Sequence, residues 1–326
     1  MTQGPARLGV VSASSLVIAS MIGVGVFTTS GFALGDLGDP RLVLLAWAVG
    51  GALALCGALS YGALARRFPE SGGEYTFLTL SGHPLAGFLA GWVSLWAGFT
   101  APIAAAGLGL QAYLGDSLSP SLRPEWVGTA AIVAAGLLHG SRVHTGAVFQ
   151  NSAVALKVLL IAGFILLGAW RIPADSQLAA APLLASGGEA SLGAFAVSLV
   201  WVWYAYAGWN AAVYVAGEVE NPRTTLPRAL FLATAVVTAI YLLLNAVFLY
   251  SAPLEQLAGR PDIAAIAARA LGGEPLRRAV SALVALALFT SISSMVMAGP
   301  RVYARMASDG LFPALFRGSA RAPLRQ

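Results

Sequence analysis

Long stretches of this chain carry no charged side chain. They run from Leu8 to Gly35, Leu42 to Ala65, Tyr75 to Gly115, Ala190 to Gly217, Ala229 to Leu254 and Ala279 to Pro300. A helix that crosses the hydrocarbon of a bilayer needs about 20 predominantly apolar residues, and these runs reach that length. Charged residues are only 10% of the 326, against about 25% in a soluble domain. A globule of this composition would have too little charge to stay in water. In lipid every backbone polar group must pair internally, which leaves helices or a closed barrel. Barrel strands would read as segments of about 10 residues with alternating polarity, and these runs do not alternate. The expected class is all-α, a polytopic membrane helical bundle.

Eight candidate spans follow: Leu8–Leu34, Leu42–Leu64, Leu85–Leu114, Trp126–Leu138, Gly146–Trp170, Leu192–Gly217, Leu230–Tyr250 and Val280–Gly299. The fourth is short. Arginine sets the orientation, because loops that stay in the cytoplasm are richer in Arg and Lys. With the N-terminus inside, eleven arginines fall on the inner side, among them Arg66, Arg67, Arg301 and Arg305, and seven on the outer side. The bias favours a cytoplasmic N-terminus, in a multi-pass protein of the cell (plasma) membrane. The net charge of +5 sits in loops, so it speaks to topology and lipid headgroups, not to nucleic acid. The outer segment Ser251–Arg278 is the longest polar stretch, and its Ala-rich part Ile263–Leu271 reads as a short surface helix.

Two spans are interrupted at matching places. Span 1 contains Met21-Ile22-Gly23-Val24-Gly25-Val26-Phe27, and span 6 contains Tyr204-Ala205-Tyr206-Ala207-Gly208-Trp209-Asn210. Broken spans at corresponding positions of two halves point to a transporter of inverted repeats with its site at the midplane. The other reading is that these glycines only let helices pack closely. A break frees N–H groups at the start of a half-helix, where donors and the positive dipole end suit a carboxylate. The half-helix ending before the break exposes carbonyls, which suit an ammonium. Two such breaks side by side would hold an amino acid by its backbone groups. The candidate substrate-binding residues are Met21, Ile22, Gly23, Val24, Gly25, Tyr204, Ala205, Ala207 and Gly208. Tyr204 is included because it stands at the break itself.

Lysine occurs once, as Lys157, inside the apolar run Gly146–Trp170. An ionisable group at membrane depth is costly and marks a functional site by default. A lysine there can give up and regain a proton during transport. Two other readings stand beside this one: the side chain snorkels to the interface, or it is a permanent cation bridging helices. Thr290, Ser291, Ser293 and Ser294 cluster in span 8, where their hydroxyls would bond to Lys157, to substrate, or back to their own helix. Lys157, Ser291 and Ser294 are the candidate ion-coupling residues.

Enzyme signals are negative. The histidines His83, His139 and His144 stand at span ends, and neither His-Glu-x-x-His nor Gly-x-Ser-x-Gly occurs. All 14 acidic residues lie in loops or at span ends. No metal and no cofactor is expected. The third glycine position of a dinucleotide fingerprint starting at Gly23 is Thr28, and no strand precedes it. The one cysteine, Cys56, excludes a disulfide framework. The first apolar run is too long for a cleavable signal.

Four segments resemble the amino acid–polyamine–organocation superfamily of transporters. They are Ile22–Phe27; Tyr61–Tyr75, with Phe68-Pro69-Glu70-Ser71-Gly72-Gly73-Glu74-Tyr75; Tyr204–Ala229, with Gly217-Glu218-Val219-Glu220-Asn221-Pro222; and Gly299–Pro313. The Gly208-Trp209-Asn210 segment and the fifth-span lysine are most similar to the L-type amino acid transporter branch and its bacterial relatives. The resemblance implies a five-plus-five inverted-repeat fold with helices 1 and 6 broken. Residues 1–171 would be the first repeat, and 190–326 a second repeat lacking its last part, since the family usually has twelve spans. It further implies a neutral L-amino acid as substrate. The carboxylate would meet the amides of Val24 and Gly25, and the ammonium the carbonyls of Met21, Tyr204 and Ala207. Lys157 matches the family lysine that takes the place of a sodium ion, which implies sodium independence with proton coupling or exchange. Animal L-type transporters join an accessory glycoprotein through a loop cysteine between spans 3 and 4. The corresponding loop, Gly115–Glu125, has none, so no disulfide-linked accessory subunit is expected. A non-transporting fragment or truncated product, and more weakly a channel, are the competing readings.

Overall fold

The computed structural model of the chain describes residues 7–114, 125–141, 143–172 and 191–317. The expectations that concern loop residues 115–124 and the end at 321–326 lie outside the described residues. Within them the chain is helical. The only strand-like pairing among the described residues is an isolated parallel bridge between Leu8 and Val219. Six helices are long and apolar enough to cross a membrane, and a bent pair makes a seventh. The expected fourth span is a shorter apolar helix, Trp126–His139. Every expected span therefore corresponds to a helix.

Span 1 is two helices, Val10–Met21 and Gly25–Leu37, bent by 41° at the three residues between them. Span 2 is the continuous helix Pro40–Arg67. Asp39 caps it by accepting from Arg41 N at 2.7 Å, and Pro40 occupies the first turn, where a missing N–H costs nothing. Span 3 begins at Pro84, widens to a π-helix over Ser94–Thr100 and resumes as an α-helix from Ala101. Span 5 lies in the helix Val143–Arg171. Span 6 is the helix Leu192–Tyr206, a break, and then a 3₁₀ segment, Ala211–Glu218. Span 7 is Pro222–Tyr250. Span 8 belongs to the helix Ile263–Ser308, which leaves helical geometry at Gly272 and Gly273. The expected surface helix Ile263–Leu271 is the piece before that kink. Its Ile263, Ala264, Ala267 and Ala268 are buried, so one face packs onto the bundle.

The packing has two centres. Spans 1, 2, 6 and 7 enclose the aromatic trio Trp47, Tyr206 and Tyr241, whose ring centroids lie 4.9–5.6 Å apart. Span 8 packs against spans 3, 4 and 5. Outward-facing Leu159, Leu166 and Trp170 of span 5 remain exposed, as expected of a surface that meets lipid. The beginning of span 1 and the end of span 6 are stitched together by backbone. Leu8 N donates to Glu218 O at 2.8 Å, and Glu220 N donates to Leu8 O at 2.9 Å. Side-chain ties lie at the same end. Arg301 of span 8 pairs with Glu218 at 2.9 Å. Arg305 pairs with Glu70 and with Asp309, and Asp309 accepts from the Tyr75 hydroxyl at 2.7 Å.

Candidate functional site

The two breaks meet. Gly25, the first residue of the second half of span 1, lies against Ala205 of span 6 so closely that a Cβ at Gly25 would fall 2.8 Å from the Ala205 Cα. Gly208, at φ +103°, turns the span 6 backbone through a conformation that side chains disfavour. It lies against Ser20, with Cβ space only 2.9 Å from the Ser20 carbonyl carbon. Glycine thus serves a close approach in one break and a turn in the other.

A cavity of about 350 Å³ opens beside this crossing. Eight of the nine expected substrate residues line it: Met21, Gly23, Val24, Gly25, Tyr204, Ala205, Ala207 and Gly208. Ile22 does not; it is buried, and its carbonyl faces Lys157. Ser291 also lines the cavity, whereas Ser294 and Lys157 do not. The sequence reading missed the opposite wall. Span 3 contributes Gly98 and Phe99 from its π-helical stretch, span 8 adds Met295, Asn210 ends the span 6 break and Tyr214 follows it. Among the described residues, no Asp, Glu, Lys or Arg lines the cavity. π-helical turns recur at functional sites, but nothing in the run Ser94–Thr100 announces one.

The hydrogen bonds at the breaks divide into satisfied and open groups. Each helix end leaves backbone groups without helical partners. The amides of Val24 and Gly25 donate to no backbone carbonyl among the described residues. The Met21 carbonyl accepts from Gly23 N at 2.9 Å and from the Tyr241 hydroxyl at 2.6 Å. The Tyr204 carbonyl accepts from Ala207 N at 3.1 Å. The Ala207 carbonyl accepts nothing among the described residues. Both lone pairs of Met21 are therefore taken, contrary to its expected part in holding an ammonium.

Lys157 is wholly buried, so it does not snorkel. Its Nζ donates to Thr290 Oγ1 at 2.9 Å and to the Ile22 carbonyl at 3.3 Å. Thr290 in turn donates to Ala287 O at 2.9 Å. Ser294 donates to the Ser291 carbonyl at 2.8 Å, back into its own helix. Of the span 8 hydroxyls, Thr290 is thus the one that meets the lysine. A buried chain continues away from it. Gln150, two turns before Lys157, donates to Thr290 O at 3.1 Å and accepts from Ser293 Oγ at 2.6 Å. His139 Nε2 lies 2.7 Å from the same Ser293 oxygen. Because the Ser293 proton goes to Gln150, His139 is the donor of that pair.

One carboxylate stands just behind the cavity wall. Asn210 Nδ2 donates to Glu74 and to the Tyr214 hydroxyl. Glu74 begins the short helix Glu74–Ser81 in the connection between spans 2 and 3. No group of three or more His, Cys, Asp or Glu suited to a metal occurs among the described residues.

The described residues thus form a multi-pass helical bundle whose two broken spans cross at a cavity, with a lysine bonded to one break. The family model described as "Amino acid permease" matches residues 8–321. This chain belongs to the amino acid permease family. It is 30% identical to the serine/threonine exchanger SteT of Bacillus subtilis over 314 residues, covering 94% of this chain and 69% of that protein. It is 28% identical to the human large neutral amino acids transporter small subunit 2 over 317 residues, 95% of this chain and 59% of that one. A cystine/glutamate transporter of Pongo abelii is 30% identical over 305 residues, 92% of this chain and 60% of its own length. The chain thus spans about three fifths of the human relative's length. These relatives are named as transporters and exchangers, not as enzymes, in agreement with the sequence reading.

Proposed function

We propose that this chain carries the substrate site of a secondary transporter of neutral L-amino acids. It works by alternating access, independently of sodium, through proton coupling or exchange. The observation that carries the reading is the pair of open amides at Val24 and Gly25, facing a cavity without charged walls. A carboxylate placed there meets two N–H donors and the positive end of the second half of span 1. The ammonium then meets the open Ala207 carbonyl and the second lone pair of Tyr204. A cavity of 350 Å³ is at the small end of ligand pockets, about 300–1,000 Å³. Its apolar lining disfavours a charged side chain, which could not be paired there. The human and bacterial relatives, named for large neutral amino acids and for serine and threonine, support that class.

Lys157 is the ion-coupling element of this reading. Its ammonium bridges a span 1 carbonyl and a span 8 hydroxyl, the kind of link a bound cation would make. Ser291, on the cavity wall, contacts substrate, and Ser294 stiffens the same turn. Residues 1–171 and 190–326 are read as the first and second inverted repeats, with the N-terminus in the cytoplasm of a plasma-membrane protein. The name of the human relative denotes a small subunit. Without a cysteine in Gly115–Glu125, any such partner of this chain is held there without a disulfide.

The test is uptake of radiolabelled amino acids by the intact protein in liposomes, in sodium and in choline buffers. Saturable uptake of neutral L-amino acids, equal in both buffers, is expected. Uptake that requires sodium, or none of any neutral amino acid, refutes the reading.

A further inference from the structure

Spans 2 and 7 pack antiparallel, Gly51 against Thr238 and Gly62 against Pro227. That register puts Arg66, at the end of span 2, level with Arg223, at the start of span 7. Turning about 100° per residue away from the Gly62–Pro227 contact, Leu59, Ala63 and Arg66 come out on one side of the pair. Thr224, Arg228 and Phe231 come out on the same side, because the two helices run in opposite directions. All six are exposed. The other side is closed: Ala54, Ala58 and Ala65 of span 2 are buried, and so are Leu226, Leu230 and Ala233 of span 7.

The open side is therefore apolar along the spans and basic where they end. Leu59, Phe231 and Leu232 are exposed above it, and Arg66, Arg67 and Arg228 follow at the end of the pair. Arg223 adds a fourth exposed guanidinium at the level of Arg66. Arg67 lies over the ring of Phe68, 5.7 Å from its centroid. Among the described residues none of the four makes an ion pair. The other arginines of this end differ: Arg301 pairs with Glu218, and Arg305 with Glu70 and Asp309. Those three carboxylates are thus taken. Glu220, three residues before Arg223, pairs with none of the four. Like charges held side by side repel one another, and an anion placed among them removes that repulsion.

Arginines at a helix end also set topology, but that role needs only their number on one side of the membrane. It does not account for a cluster on one face, continuous with an apolar surface. We propose that this face of spans 2 and 7 binds an anionic phospholipid of the leaflet at that end. The phosphate takes guanidinium N–H donors in pairs, and the acyl chains lie along Leu59, Phe231 and Leu232. A zwitterionic lipid brings its own cation beside the phosphate and leaves the cluster uncompensated. Free phosphate would use the arginines and none of the apolar face. The proposal rests on the chain's crossing of the membrane and not on the transport reading.

The intact protein in mild detergent is given equimolar phosphatidylglycerol and phosphatidylcholine, and native mass spectrometry counts the lipid retained. The parent is expected to prefer phosphatidylglycerol, with a preference that falls as salt is raised. Arg66→Gln with Arg228→Gln is expected to lose about tenfold in affinity for phosphatidylglycerol, and Arg66→Gln alone about fivefold. Arg66→Lys with Arg228→Lys keeps the charge and should stay within about threefold of the parent. The control, Arg260→Gln with Arg278→Gln, removes two exposed arginines of the opposite end and is expected to keep the parental affinity.

Equal retention of the two lipids by the parent overturns the proposal. So does an unaltered affinity in the Gln variants, or an equal loss in the control. Should the double Gln variant not fold, Arg66→Gln alone decides. Inorganic phosphate that raises the parent's melting midpoint as much as phosphatidylglycerol does would mark a free-anion site and overturn the lipid assignment.

Discussion

Met21 and Ile22 are neighbours in the chain, yet their carbonyls are held by different helices. Tyr241 of span 7 takes the first and Lys157 of span 5 the second. The peptide group between them is where the helical part of span 1 ends. The break is thus attached at two discrete points, to span 7 through Met21 and to span 5 through Ile22.

Replacing Lys157 by Ala removes the only cation among the described residues that touches the span 1 break. It leaves the Ile22 carbonyl and Thr290 Oγ1 without their donor. Uptake is expected to fall about tenfold or more, in line with the loss of a charge-assisted hydrogen bond of about 2 kcal/mol. Whatever uptake survives should lose its pH dependence. Rates measured in liposomes from pH 5 to 9 check this, and a variant that keeps the parental pH profile excludes a proton-coupling role for Lys157.

The glycines of the span 1 break should respond unequally. A Cβ at Gly25 would overlap the Ala205 backbone, whereas one at Gly23 would make an ordinary contact, 3.5 Å from Ser291 Oγ. Gly25→Val is expected to abolish substrate binding and to cost about 1–3 kcal/mol of stability, as overpacking does. Gly23→Ala should fold with nearly the parental melting midpoint. Thermal unfolding with and without substrate compares the two, and equal behaviour would refute the close crossing of spans 1 and 6.

Gln150 brackets one turn of span 8 by bonding to Thr290 and Ser293 at once. Gln150→Leu leaves the Ser293 proton without its acceptor and lets the Thr290 turn shift against Lys157. A destabilisation of about 1–3 kcal/mol is expected for the buried polar groups left behind. In a double-mutant cycle with Ser293→Ala, the two losses should be non-additive by about 0.5–3 kcal/mol, as for residues in direct contact. Strict additivity would mean that the pair does not interact.

Arg301 and Glu218 join the end of span 8 to the end of span 6. Arg301 is only 10% exposed and Glu218 27%, so the pair is partly shielded from water and screened less than a surface pair. Arg301→Gln should lower stability by about 1–2 kcal/mol, between the values for exposed and buried pairs. The loss should persist in high salt. A melting midpoint that moves only in low salt would assign the pair to the solvated surface.

The part of the site legible in the sequence was the part made of backbone. Gly23, Gly25 and Gly208 interrupt apolar runs, and an interruption is visible without knowing what lies opposite. Lys157 was legible for the same reason, as a charge where none is tolerated cheaply. The hydroxyl cluster of span 8 was visible as a cluster only. Thr290 and Ser291 are adjacent in sequence but about 100° apart around the helix, so one meets the lysine and the other the cavity. Only the rotation of span 8 against spans 1 and 5 decides which. Tyr241 carried no signal, because an aromatic side chain in a membrane helix ordinarily means packing. Glu74, in a polar connection, gave no sign that it would stand behind the cavity wall.

The sequence by itself determined an all-helical membrane protein of about eight spans with two breaks and one buried cation. Bilayer thickness and the cost of charge in lipid act on composition directly, residue by residue. The tertiary structure decided which groups close on those breaks: Tyr241 on Met21 and Ala205, Thr290 on Lys157, Gln150 on Ser293. Those pairings are 36 to 220 residues apart in the chain. They depend on how helices rotate and cross, which is set by side-chain packing between spans and leaves no periodic trace in any one of them.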